Sequence, residues 1–119
     1  MAENEKVTLT RAAWSEQAEA DLMPAAFGDM PIVKAQTLAG ECELFRLGGC
    51  ATGWLITRQE GRELVLVMGA GTNARAVIHH CLVIAKKHNL TVRAHIRRAG
   101  MKRIYERVGF RVREVVMGA

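Results

Sequence analysis

The chain has 119 residues, of which 50% are hydrophobic and 24% charged; this bounds it to a single globular domain, residues 1–119, with room for a core but not for a second module. Its longest apolar runs, such as LVLVM, are too short to cross a bilayer, and the acidic start MAENEK lacks the apolar stretch of a signal peptide. Cys42, Cys50 and Cys81 are odd in number and have no metal-ligand spacing, which argues against a disulfide scaffold or a metal site and for a reduced, cytoplasmic compartment.

The net charge of +5 is unevenly divided. Residues 1–60 carry 5 Lys/Arg against 9 Asp/Glu, and residues 61–119 carry 12 against 3. A field of this asymmetry suits an anionic partner for the second half, whether cofactor phosphates, nucleic acid or an acidic protein surface; the alternative is a solvated basic face. Nucleic acid is the weaker of these, because there is no zinc-finger spacing and the chain has only 3 Phe, 2 Trp and 1 Tyr to stack on bases.

In chain order, residues from about 11 to 26 set Ala12, Ala13, Ala18, Leu22 and Ala25 among acids and predict a helix. Pro24 and FGDMP are expected to end it. The next stretch, CELFRLGGCATGWLITRQEGRELVLVMGAG, is divided at Gly48-Gly49 and Glu60-Gly61 into three β-like runs, the pattern of an antiparallel meander. The third run, Leu64 to Met68, is apolar throughout and predicts a central strand covered on both faces. From Asn73 to His88 the apolar positions Ala74, Val77, Ile78, Cys81, Ile84 and Ala85 fall at helical spacing, and Asn89 closes the helix. TVRAHIR alternates as a strand, a short helix from about Gly100 to Val108 stops at Gly109, and RVREVVM is a last strand. The expected order, β–(α)–β–β–β–α–β–α–β, is a mixed α/β (α+β) sheet.

The junction MGAGTNARA, residues 68–76, joins the central strand to the long helix. Such a glycine-rich turn presents backbone N–H groups at the positive end of a helix dipole and can hold an anion. Gly69 and Gly71 would let a pyrophosphate approach the backbone, and Thr72 or Asn73 could cap the helix or bind a phosphate. The lysine of a nucleotide P-loop is missing. Glycines also serve any tight turn.

With the motif YERVGF near the end, this arrangement resembles the GNAT superfamily of N-acetyltransferases over residues 39 to 117, most specifically at Tyr105, Gly109 and Phe110. Residues 1–38 then correspond to an abbreviated amino-terminal strand and helix region. The resemblance implies a mixed, mostly antiparallel sheet with a β-β-β-α-β-α-β core. It further implies acetyl-CoA, or another acyl-CoA, held along Val67, Met68, Gly69, Ala70, Gly71, Thr72, Asn73 and Ala74. Backbone N–H groups near Val67 and Met68 would meet the thioester carbonyl, and Tyr105 would protonate the departing thiolate; no metal is implied. The family pattern Gln/Arg-x-x-Gly-x-Gly/Ala falls on Gly69, Thr72 and Ala74, so only its last small residue is kept. Arg98 stands where members often carry asparagine.

No general base matches the family securely. Glu63, His79 and His80 are the nearby titratable groups, and bulk water can serve. Without family context a tyrosine before a glycine cap is a core ring, Cys81 a buried small hydrophobe, and Trp14 and Trp54 core anchors. His79 and His80 lack partners at the spacing a metal needs. Arg97, Arg98, Lys102 and Arg103 could meet the phosphate on the adenine side of CoA, an acidic partner, or water. Two functions follow: transfer of an acetyl group to an amine, or a non-catalytic interaction or assembly role. Compact chains of this kind are similar to proteins encoded in bacteriophage genomes and prophages, some of them virion components.

Overall fold

The computed structural model describes residues 6–26 and 28–94. Within them the chain is α+β. Five strands form one mixed sheet, β1 (Val7–Arg11), β2 (Glu43–Gly49), β3 (Gly53–Glu60), β4 (Glu63–Gly71) and β5 (Thr91–Ala94), in spatial order β1-β2-β3-β4-β5. Three helices, α1 (Glu16–Ala26), α2 (Met30–Leu38) and α3 (Ala74–Lys87), complete it. The first four strands pair antiparallel, and β5 runs parallel to β4 after the α3 crossover. No helix among the described residues is long and apolar enough to cross a membrane.

The sheet is covered on both sides, as the uniformly apolar centre of β4 requires. On one face Leu22 and Ala26 of α1 and Met30 and Val33 of α2 pack against Leu44, Trp54, Ile56 and Met68. On the other, Val77 and Cys81 of α3 pack against Val7, Leu47, Leu55 and Leu66. Leu22, Leu44, Ile56 and Val65 are among the most fully buried side chains. Cys81 packs as a hydrophobe, and burial pushes its thiol up to about 11. Cys42 is also sealed, and its thiol is raised chiefly by burial.

The amino-terminal region departs from the sequence expectation. A helix from about 11 to 26 becomes a strand to Arg11 and a helix from Glu16. In the strand, Val7 is buried while Thr8 and Thr10 face solvent, the alternation of a half-covered edge. Ser15 Oγ accepts from Ala18 N–H at 3.1 Å, fixing the helix start. Pro24 does not end α1. It sits inside the helix at an exposed position, where a carbonyl lacking its helical donor can be hydrated. The second helix, α2, was not expected. Its Pro31 lies in the first turn, where a missing N–H costs no helical bond.

The meander breaks lie where expected, with β2 ending at Gly49 and Gly61 (φ +59) opening the turn into β4. The predicted helix 73–88 is α3, closed by Asn89 in the left-handed region (φ +56). Of the strand 91–97, the part to Ala94 is described. The expected helix 100–108, Gly109 cap, Tyr105 and last strand lie outside the described residues.

Candidate functional site

The geometry of the site begins with a register fault. Ile56 of β3 stands opposite Met68 and Thr57 opposite Leu66, so Val67 is an extra residue in β4, a β-bulge. The consequence is visible in the packing. Leu64 and Leu66 face α3, whereas Met68 and Ala70 face α1 and α2. An unbroken strand would send all four to one side. On the other edge, β5 pairs only with Glu63 to Leu66. Among the described residues, Val67 therefore belongs to neither neighbouring ladder.

Beyond the bulge β4 continues farther than its glycines suggest. Gly69, Ala70 and Gly71, expected as a glycine-rich turn, are strand residues opposite Leu55, Trp54 and Gly53. The bareness of Gly71 serves this pairing rather than a ligand. At φ +147, a Cβ there would lie 1.9 Å from Thr52 O and 2.9 Å from Gly53 Cα. Gly69 is different: a Cβ would meet Leu55 Cδ1 and Trp54 O at 3.5 Å, an ordinary contact. Thr72 N–H donates to Thr52 O at 2.9 Å, so its amide is taken. By strand alternation the amides of Gly71 and Gly69 point to the opposite edge, where β5 pairing among the described residues reaches only to Leu66.

Two residues then turn the chain into α3. Asn73 adopts a left-handed conformation (φ +58, ψ +48) and does not cap the helix with its side chain. Its Nδ2 instead donates to Cys50 O at 3.2 Å. Thr72 Oγ1 accepts from Thr52 N–H at 3.1 Å and is hydrogen-bonded to the Thr52 hydroxyl at 3.0 Å. Neither residue performs the capping role expected of it. The first intrahelical bond is Val77 N–H to Asn73 O, at 3.2 Å. The preceding first-turn amides are the orphan donors of any helix start. That first turn holds no acid and does hold an exposed Arg75, the reverse of what a helix dipole favours unless an anion is present.

A cavity of about 580 Å³ joins these features. Its lining residues extend from α1 and α2 along β4 to the start of α3. Val67, Met68, Gly69, Ala70, Gly71, Thr72 and Ala74 all line it. Seven of the eight expected cofactor residues are thus brought to one wall; Asn73 is not among its lining residues.

The expected bases are not brought there. Glu63 begins β4, at the far end of the strand from Gly71, and pairs with Arg93 at 3.4 Å. His79 is exposed on α3. His80 is half-buried, and its pKa is lowered by burial and then by neighbouring His79 and Lys87. Sequence reasoning missed Asp29, Gln36 and Arg58, which line the cavity. Asp29 precedes α2, a helix with no clear apolar period. Arg58 lies in a run read only as a strand. The Arg58 guanidinium binds Glu60 at 2.7 Å through Nε and 2.6 Å through a terminal nitrogen. That pairing is the main reason the Glu60 carboxyl is held below its usual range. Among the described residues no His/Cys/Asp/Glu group could hold a metal. No protein-family model matches the chain, and no curated protein matches it.

Proposed function

We propose that the chain is an acyl-CoA-dependent N-acyltransferase of GNAT type, its core spanning residues 39–117. The observation that carries this reading is the bulge at Val67, on a strand whose edge, unpaired beyond Leu66 among the described residues, borders a cavity that reaches the start of a helix without a side-chain cap. An acyl-CoA would run along that edge. Its pyrophosphate would meet the first-turn amides of α3 and Arg75, and its thioester carbonyl the amides around Val67 and Met68.

The reaction needs no metal. The amine nitrogen attacks the carbonyl carbon, forming the C–N bond, and the oxyanion that develops is held by the bulge amides. Collapse breaks the C–S bond. Tyr105 gives its phenolic proton to the leaving thiolate, and the nitrogen loses its proton to water or a wall carboxylate. An amide and CoA thiol result.

Thermal unfolding tests the reading. Acetyl-CoA binding only the folded chain stabilises it by about 2.7 kcal/mol at a hundredfold excess over Kd, several degrees in Tm. Gly69→Val puts its Cβ no closer than 3.5 Å to its neighbours and adds bulk at a residue that lines the cavity. It is expected to retain the unliganded Tm and lose the rise. Lys87→Ala, at the other end of α3, should keep it. A wild-type Tm indifferent to millimolar acetyl-CoA would sink the proposal and favour a non-catalytic interaction or assembly role, such as that of a phage virion protein.

A further inference from the structure

Helix α2 turns its apolar side outward. Met30 and Val33 are buried towards the sheet, and the polar residues Lys34, Gln36 and Thr37 are half-buried on that inner side or its flanks. The outer side carries Pro31, Ile32, Ala35, Leu38 and the C-cap Ala39, all of them exposed. At 3.6 residues per turn these five fall within an arc of roughly 120° centred on Ala35. Ile32 is 60% and Leu38 66% exposed; with Met23 of α1 they are three of the four exposed large hydrophobic side chains among the described residues. A surface helix ordinarily turns its polar side to water. The reverse arrangement marks a face that is covered by a partner.

Charge limits what that partner is. From Ala12 to Phe45 the sequence has six Asp/Glu and a single Lys/Arg, Lys34. An anionic bilayer or a nucleic acid would meet a negative surround here. Lys34 itself is neutralised by Glu19 at 2.9 Å, and that pairing is the first cause of the lowered Glu19 carboxyl pKa. A second copy of the chain fits better. When two α2 helices are set face to face and antiparallel about a two-fold axis at Ala35, that alanine meets its own counterpart. Ile32 then lies opposite Ala39 of the second copy, and Leu38 opposite its Pro31, large against small along the contact. The small central residue lets the backbones approach. The flank bearing Lys34 meets the same flank of the second copy, so each cation arrives with its own carboxylate from Glu19. Antiparallel helices also set their dipoles head to tail.

We infer that the chain pairs with a second copy of itself through the outer face of α2, with Ala35 at the two-fold axis. Nine residues give a contact only about 13.5 Å long, which covers less than the roughly 800 Å² per partner of a standard interface. The dimer is accordingly weak, with a Kd on the order of 10 to 100 µM. Ile32 also lines the cavity, so the second copy stands beside its α1–α2 end. None of this rests on the acyltransferase reading.

The test uses the full chain without acetyl-CoA. In sedimentation equilibrium from about 5 to about 500 µM, the mass is expected to rise from one chain towards two. Ala35→Glu sets two carboxylates against each other at the axis and should weaken pairing at least tenfold, with the Tm of the dilute protein unchanged. Leu38→Gln, at an exposed position, should weaken it as well and serves if Ala35→Glu unfolds. Ala35→Cys is expected to link two copies on mild oxidation, because the residue meets itself. Val83→Cys, on the exposed side of α3, should not. A single chain at the highest concentration overturns the inference. A dimer that keeps its affinity in Leu38→Gln and in a folded Ala35→Glu, or that is linked through Val83→Cys and not Ala35→Cys, places the contact elsewhere and overturns it too.

Discussion

Gly71→Val is expected to remove a large share of the domain's stability. The position has φ +147, a region that β-branched residues scarcely populate, and the added Cβ would fall 1.9 Å from Thr52 O and 2.8 Å from Thr52 C. Both obstacles are backbone, held in place by the Thr72 N–H bond to Thr52 O. Relief requires separating β3 from β4 at the end of the pair where Gly53 meets Gly71. A cost beyond about 4–5 kcal/mol is expected, against a total stability of roughly 5–15 kcal/mol for a domain. Gly61→Ala is the contrast: φ is +59, and nothing lies within 4 Å of the new Cβ. Only the left-handed strain of about 1–2 kcal/mol applies there. Circular dichroism through urea titration separates the two. A Gly71→Val chain unfolding within a few tenths of a molar of wild type would mean that β4 does not extend to Gly71.

The second large effect concerns Tyr105, which lies outside the described residues. Tyr105→Phe keeps the ring and removes only the hydroxyl. If that hydroxyl protonates the thiolate, turnover falls by a factor on the order of 10² to 10⁴ while Tm and CoA affinity stay unchanged. If the side chain is a core ring, Phe is tolerated in every assay, and Tyr105→Ala costs about 3–5 kcal/mol. Steady-state rates with a saturating amine, beside melting curves of both variants, distinguish these outcomes.

What could be read from the sequence was local. The breaks at Gly48-Gly49 and Gly61 are turn chemistry, and α3 declares itself because Val77, Ile78, Cys81 and Ala85 recur at helical spacing and all are buried. LVLVM announced a strand covered on both faces. The same uniformity hid the bulge: with apolar residues on either side of Val67, no polar side chain marks the point where the alternation inverts. The extension of β4 was hidden for a different reason. Gly69 and Gly71 look like a turn until Gly53, eighteen residues before Gly71, is known to face it, and that is a non-local fact. Helix α2 buries only Met30 and Val33 along its length and leaves Ile32 and Leu38 exposed, so its pattern has no helical period to find. Asp29 became visible only when α2 brought it to the cavity.

Backbone amide NMR during an acetyl-CoA titration addresses the proposed site residue by residue. The amides of Val67 and Met68 at the bulge should shift most, together with Gly69, Gly71 and the first turn of α3, residues 74–76. Those of Lys86, Lys87 and the Gly61 turn, at the other end of the sheet, should stay still. Desulfo-CoA, lacking the thioester, should move the α3 residues but leave Val67 in place. Shifts confined to the Lys86–Lys87 end, or a Val67 amide unmoved at saturating acetyl-CoA, would contradict the placement of the thioester at the bulge.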